Sequence, residues 1–512
     1  MKTIAPFAAP YAPDDAALVR DMLASYPDDP ALTGRIRERA ERFVAGIRQK
    51  SGGIGLEEFM QEYDLSTKEG LALMVMAEAL LRVPDAKTQN ALIEEKLGGG
   101  NWDDKETDDS WFLMAASWGI GLGAKIVKPG ETPGSVLKSA VKRLGVPVIR
   151  TGARQAMQFL GHHFVLGQTI KGALSRAEKQ ERKGFRYSYD MLGEGARTAD
   201  DAARYLASYH TAIDTIGKQA TKRNSDLPDR PGLSVKLSAL HPRYEAPKRE
   251  RVLAELVPQV IELAQKAKRY NLNLTIDAEE ADRLELSLEV IAAVVADPSL
   301  ADWDGFGLAI QAYQKRAPDV IDWIIQLAEH HDRRFMVRLV KGAYWDTEIK
   351  RAQERGLDDF PVFSKKAATD LCFRHCAIKL LAARPRIFPQ FATHNALTLA
   401  AILELAGDNQ GFEFQRLHGM GETLYDLEMA TEGVPARIYA PVGGHKDLLA
   451  YLVRRLLENS ANSSFVAQVA DEKVTMDELL RPPQEELRDV IAAGKPPRHG
   501  GIPLPKDIVA PR

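Results

Sequence analysis

Cysteine is nearly absent from this chain: its 512 residues carry two, Cys372 and Cys376, four apart within a helical pattern. No disulfide framework can be built from that pair, so a reducing cytoplasm is the expected setting. Charge of one sign is missing as well. Lys+Arg total 68 against 71 Asp+Glu, a formal net charge of −3, with both signs mixed along the chain. That balance implies no polyanion-binding surface and sets nucleic acid aside as a partner. Long apolar runs are also lacking. The longest stretch free of Asp, Glu, Lys, Arg and His, Ser110 to Ala124, is too short and too glycine-rich to span a bilayer. The N-terminus offers one lysine and several prolines where a signal peptide would need an unbroken apolar core. Attachment to a membrane surface stays open.

What the chain does have is bulk, with 45% hydrophobic residues, enough for a large core and two or three domains. Residues 1–30 read as a proline-bearing arm, and 31–165 as an all-helical domain with a connecting segment. Helical periodicity runs over 32–50 and 71–81, and Ser66 and Glu69 are spaced as a capping box for the second. Gly98-Gly99-Gly100 is a break. Gly119, Gly121 and Gly123 superficially suggest a phosphate loop, but they follow a helix-like segment instead of a strand, so packing or a turn is expected. His162-His163 and His330-His331 point in different directions on a helix and lack further ligands at metal spacing, so no metal is expected.

From residue 185 the grammar changes. Short apolar or β-branched runs at 185–192, 233–240, 272–279, 306–313, 335–342, 390–395, 412–419 and 437–443 alternate with helical patterns such as 251–267, 284–295, 320–330, 370–382 and 397–405. Eight such units match a closed parallel (βα)8 barrel, expected over 166–480. An open doubly wound sheet is weakened because the first strand-helix turn lacks a Gly-x-Gly-x-x-Gly fingerprint. The eighth helix, 447–459, carries a leucine stripe on one face. On its other face Tyr451, Arg454, Arg455 and Glu458 fall at i, i+3, i+4 and i+7. Two adjacent arginines can grip a carboxylate or phosphate, although a solvated face with an Arg454–Glu458 pair would look the same. Residues 481–512, rich in Pro and Gly, read as a linker toward a further domain.

In a parallel barrel the carboxyl ends of the strands carry chemistry, whereas bulky apolar side chains fill the interior. Polar residues gather near those ends: Lys236, Asp277, Gln311, Arg338, Lys341, Thr393, His394, His418 and Tyr439, with Tyr344 and Trp345 directly after the fifth run. Internal ion pairs such as Lys236 with Asp277 are the structural alternative. No Ser-His-Asp arrangement and no carboxylate pair suited to sugar chemistry stands out. Basic and aromatic groups dominate, which suits a large planar anionic cofactor and a small carboxylate substrate. A Schiff base at Lys236 or Lys341, or a non-catalytic binding role, also fits these residues.

Six stretches carry a more specific signal: SVKLSALHPRYE (234–245), TIDAEEADRLE (275–285), VRLVKGAYWDTEIKRAQ (337–353), PQFATHNA (389–396), EFQRLHGMGE (413–422) and RIYAPVGGHKDLLAYLVRRLLENSANSSF (437–465). Together they resemble the proline dehydrogenase portion of the bacterial bifunctional proline utilization A flavoenzymes, over roughly residues 20–500. The resemblance implies a flavin-bearing β/α barrel behind a helical domain and an arm. It implies FAD lined by Gln311, Val340, Lys341, Gly342, Ala343, Trp345, Ser364, Thr393, His394 and Asn395, with Arg338 donating to the flavin N5 region. Arg454 and Arg455 would clamp the proline carboxylate, assisted by Lys236 and held by Glu458. Leu417, Tyr439 and Tyr451 would enclose the ring beside Asp277 and Tyr344. Hydride transfer from proline C5 to N5 would give 1-pyrroline-5-carboxylate, the first step of catabolism to glutamate. Electrons would pass to ubiquinone or a similar membrane quinone, through peripheral contact with the inner membrane. The chain shows no room for the ribbon-helix-helix domain by which some members bind DNA, and it stops where the family's aldehyde dehydrogenase domain would begin.

Overall fold

The computed structural model describes residues 4–50, 164–222, 225–444, 465–470 and 474–508. The helical pattern at 71–81, the glycine clusters near 98 and 119, His162-His163 and the helix expected over 447–459 lie outside them.

Eight parallel strands close into a barrel in sequence order: β1 Arg186–Met191, β2 Gly232–Val235, β3 Asn273–Ile276, β4 Phe306–Gln311, β5 Phe335–Val340, β6 Ile387–Ala392, β7 Glu413–Leu417 and β8 Ala436–Val442. The closing seam pairs β1 with β8 from Arg186–Arg437 to Met191–Val442. All eight expected runs are strands, six of them shorter than expected, while β6 begins three residues and β8 one residue earlier than expected at unchanged length. The second run differs most. Leu237–Leu240 is a short helix, so β2 stops one residue before Lys236.

Between the strands lie helices whose starts are fixed by local chemistry. Ala199–Ala220 opens with a Thr198–Asp201 capping box. Lys366–Ala382 carries Cys372 and Cys376 fully buried, with their Sγ atoms 3.9 Å apart. Ala396–Ala406 begins at Asn395, whose side chain accepts from Thr398 N–H, and ends at Gly407 in the left-handed region, φ 73°. The main hydrophobic core is the annulus between the outer faces of the strands and these helices, built from Leu233, Val235, Leu274, Ile276, Val337, Leu339 and Phe391 among many others.

The barrel's inside departs from the apolar filling expected of it. Alternate positions of the strands are polar: Arg186, Ser188 and Asp190 on β1, Asn273 and Thr275 on β3, Arg338 on β5, Gln390 on β6, Glu413 and Gln415 on β7, Arg437 and Tyr439 on β8. All of these except Arg186 and Tyr439 are buried. Hydrogen bonds join all of them except Asn273 and Thr275 into one column, described below.

Both ends of the chain pack on the barrel. The arm is partly helical, Asp15–Ser25. Its preceding segment donates no strand but supplies Ala5 O to Trp323 Nε1 (2.9 Å) and Pro13 O to Lys315 Nζ (3.0 Å). Pro30–Lys50 lies against Ala396–Ala406 and the helix Glu422–Thr431, with Arg35 and Arg39 bonded to Glu404. The stretch read as a linker contains the helix Pro483–Ala492, with Leu487 fully buried and Gln484 accepting from the buried Arg374. Apolar residues at 487, 502 and 504 anchor it, and their spacing was masked by the surrounding Pro and Gly.

Candidate functional site

The column starts at the amino end of the barrel. Glu413, with no exposure, accepts from Arg437 Nε at 2.5 Å, Arg186 Nη1 at 2.9 Å, Gln390 Nε2 at 2.7 Å and Gln415 Nε2 at 3.1 Å. Burial alone would raise its carboxyl, but the two guanidiniums outweigh that and hold it below the usual range. Because the Gln415 amide donates to Glu413, its carbonyl Oε1 faces the other way and accepts from Arg338 Nε at 2.7 Å. Arg338 continues with Nη1 to Asp277 (2.6 Å) and Nη2 to Ser188 and Ser234 (3.2 and 3.0 Å). A single β5 residue thereby ties β1, β2, β3 and β7 together.

At the carboxyl mouth Lys236 Nζ sits between Asp190 (2.7 Å) and Asp277 (3.2 Å) and reaches Tyr439 Oη at 3.3 Å, while Tyr439 donates to Asp277 at 2.7 Å. Burial pulls the Lys236 ammonium down, but Asp190, Tyr439 and Asp277 more than offset it and keep it well above the ordinary lysine value. The two carboxyls part company. Burial dominates at Asp190 and raises it, whereas at Asp277 the opposing pull of Lys236 and Arg338 wins and lowers it. Lys236, Asp277, Arg338 and Tyr439, chosen separately from the sequence, thus form one bonded cluster. The internal ion pairing of Lys236 with Asp277 is real and is part of that cluster. An ammonium so strongly held is a poor Schiff-base nucleophile.

Other expected residues ring the mouth. Gln311 donates to Glu279 O and accepts from Ala343 N–H. Gly342 takes φ 151°, and a Cβ there would meet the Tyr313 ring at 2.4 Å. Val340 and Lys341 are half-buried and Gly342 and Ala343 exposed. Tyr344 caps the helix Trp345–Glu354, and Trp345 Nε1 donates to Phe363 O. Thr393 Oγ1 accepts from Asn395 N–H, and Asn395 caps the next helix. His394 Nε2 accepts from Leu417 N–H at 3.0 Å, which places the ring proton on Nδ1. Lys341 bonds Thr398 at 3.3 Å and pairs with Asp370 at 2.5 Å. Its side chain is a quarter exposed, yet burial brings its ammonium down to about 8, while Lys341 and the neighbouring Lys366 hold Asp370 low. Ser364 Oγ accepts from His499 N–H. Tyr451, Arg454, Arg455 and Glu458 lie outside the described residues.

Asp190, Glu413, Gln415 and Arg437 were not singled out from the sequence. The signal was present in RYSYDM, where every second residue is polar, and more faintly in EFQRL, where Glu413 and Gln415 flank Phe414 but Arg416 breaks the alternation. Parallel strands packed on both faces should read as continuous apolar runs, so the alternation marks a polar interior.

Fold and mouth together define a (βα)8 barrel with a polar interior, its charged groups converging where such barrels bind their ligands. A family model described as Proline dehydrogenase matches residues 173–468, and the chain belongs to that family. A second, described as the DNA-binding domain of Proline dehydrogenase, matches residues 55–164, all but the last outside the described ones. The chain is 50% identical over 474 residues to the bifunctional protein PutA of Klebsiella aerogenes, covering 90% of this chain and 36% of that protein. It is 29% identical over 322 residues to proline dehydrogenase 1 of Bacillus subtilis, covering 62% of this chain and 90% of that one. A solved structure of bifunctional proline utilization A superposes with a TM-score of 0.78 at 57% identity, covering 100% of this chain and 51% of that one. The chain thus spans about a third of the length of the curated PutA relatives.

Proposed function

We propose that the chain oxidises L-proline to 1-pyrroline-5-carboxylate with FAD, opening the catabolism of proline to glutamate. The observation that carries this reading is the charge count of the mouth. Lys236 and Arg338 are matched by Asp190 and Asp277, so the cluster is neutral. An incoming carboxylate therefore calls for further cations, and Arg454 and Arg455, held by Glu458, would provide them from the last helix. Leu417 and Tyr439, half-buried and paired in register across β7 and β8, would enclose the ring with Tyr451 and Tyr344. Asp277 would stay ionised and keep Lys236 and Arg338 in place.

FAD, when bound, would supply the two-electron acceptor. The residues fit such a group. Lys341 and Lys366 both pair with the one carboxylate of Asp370, Arg374 adds a third positive charge near Lys341, and the buried Arg374 Nε has no hydrogen-bond partner among the described residues. Positive charge in excess of its counter-charge suits a diphosphate. Gln311, Val340, Gly342, Ala343, Trp345, Ser364, Thr393, His394 and Asn395 would complete the cofactor wall. Arg338, whose bonds all run inward, would act on the flavin from the barrel side. We further propose a cytoplasmic protein that meets the inner membrane peripherally and passes electrons to ubiquinone or a similar quinone. Among the described residues no helix is long and apolar enough to cross a membrane.

The test is an ultraviolet-visible spectrum before and after anaerobic L-proline. Flavin bands that bleach support both cofactor and substrate. Bands that persist retain the cofactor and remove the substrate, and a protein that stays colourless with added FAD removes the whole reading.

A further inference from the structure

Residues 495–508 leave the helix Pro483–Ala492 and run to the rim of the mouth. His499 N–H donates to Ser364 Oγ at 3.1 Å, and His499 Nδ1 accepts from Gly501 N–H at 3.1 Å, which turns the segment. Ile502 and Leu504 then pack on a hydrophobic cluster separate from the main core, formed by Tyr313, Ile349, Ala352, Phe360 and Val362, with Trp345 also against it. The short helix Pro505–Ile508 rests on Trp345–Glu354.

That cluster is the back of the cofactor rim. Tyr313 N–H donates to Lys341 O at 2.7 Å, and Phe363 N–H donates to Tyr313 O at 2.8 Å. The Tyr313 ring occupies the space a Cβ on Gly342 would need. Trp345 closes the loop through its bond to Phe363 O. The strap therefore touches Ser364 directly and supports Lys341, Gly342 and Trp345 through Tyr313.

We infer that residues 497–505 are the outer wall of the dinucleotide site, and that docking of this strap and retention of FAD stabilise one another. The inference rests on the FAD reading above and adds a binding element that the barrel itself does not contain. Coupling between binding and docking is reciprocal, so one free energy governs both directions.

The experiment uses the FAD-loaded chain and its Ile502→Ser/Leu504→Ser variant. Flavin release is followed by fluorescence after dilution, and trypsin cleavage after Arg498 is timed with and without FAD. Release in the variant should quicken by about tenfold, and FAD should slow cleavage of the wild type by about the same factor, within the usual span of coupling between distinct sites. Equal release rates, or cleavage indifferent to FAD, overturn the inference and leave the cofactor reading standing. A wild-type chain that takes up no flavin overturns both. If the double variant fails to fold, Leu504→Ala carries the same comparison.

Discussion

Replacing Glu413 by Gln would test the polar column at its anchor. The carboxylate is fully buried and balances two guanidiniums, one of which, Arg437, is 1% exposed. The amide is nearly isosteric, so little packing is lost and the change is one of charge. Arg186 keeps Asp229 as a partner. Arg437 keeps the carbonyls of Tyr187, Pro228 and Arg230 and the amide oxygen of the replacement, but no counter-charge. Removing one member of a buried ion pair typically costs ~3–5 kcal/mol. At ~2.1 cal/mol/K per residue, a unit of about 300 residues loses ~1.6 °C of Tm per kcal/mol, so a fall of about 5–8 °C is expected. The sign with pH follows from the lowered carboxyl of Glu413. Its stabilisation is present above the unfolded value of about 4.5 and is lost as pH falls through the folded value. The gap between wild type and variant should thus be constant at neutral pH and narrow in acid. A Tm loss under 2 °C at pH 7, or a gap independent of acid, would refute the account.

Other consequences can be checked alongside. Glu428 is fully buried, has one oxygen on Val434 N–H and one without a partner, and burial raises its carboxyl to about 8. Folding therefore favours its protonated form, and wild-type stability should fall relative to Glu428→Gln by roughly 2–3 kcal/mol between pH 5 and 7, read from urea unfolding; parallel pH curves would contradict this. Gly342→Ala, forced into a positive φ and against the Tyr313 ring, should cost ~1–3 kcal/mol locally and lower flavin occupancy after gel filtration. Full occupancy would show that the loop is not at the cofactor. Arg455→Ala should raise the KM for proline while flavin stays bound, and an unchanged KM would remove the carboxylate assignment.

Much of the fold was legible because the strands alternate with helices and because each strand is a short run flanked by turn residues. Phe306–Gln311 and Phe335–Val340 start where the apolar runs do. The end of β2 was missed because Leu237–Leu240 is as apolar as a strand, and a four-residue helix leaves no period to detect. The cluster at the mouth was half visible. Lys236, Asp277, Arg338 and Tyr439 stand out as polar groups at strand ends, but Asp190, Gln415 and Glu413 acquire meaning only when the register brings β1 and β7 to Arg338. The docking of residues 495–508 was hidden because its apolar contacts, Ile502 and Leu504, are too few to form a pattern.

The position of Arg437 also bears on how the chain is made. This guanidinium arrives on the eighth strand, yet its carbonyl partners, Tyr187, Pro228 and Arg230, were synthesised more than two hundred residues earlier. A ribosome-bound chain that has not yet emerged through residue 437 holds β7 with Glu413 lacking one of its two guanidiniums, and β1 with an open edge. Closure of the ring and neutralisation of its axis are then a single late event. Chaperone engagement should persist until β8 has left the exit tunnel, and release should coincide with sealing of the seam.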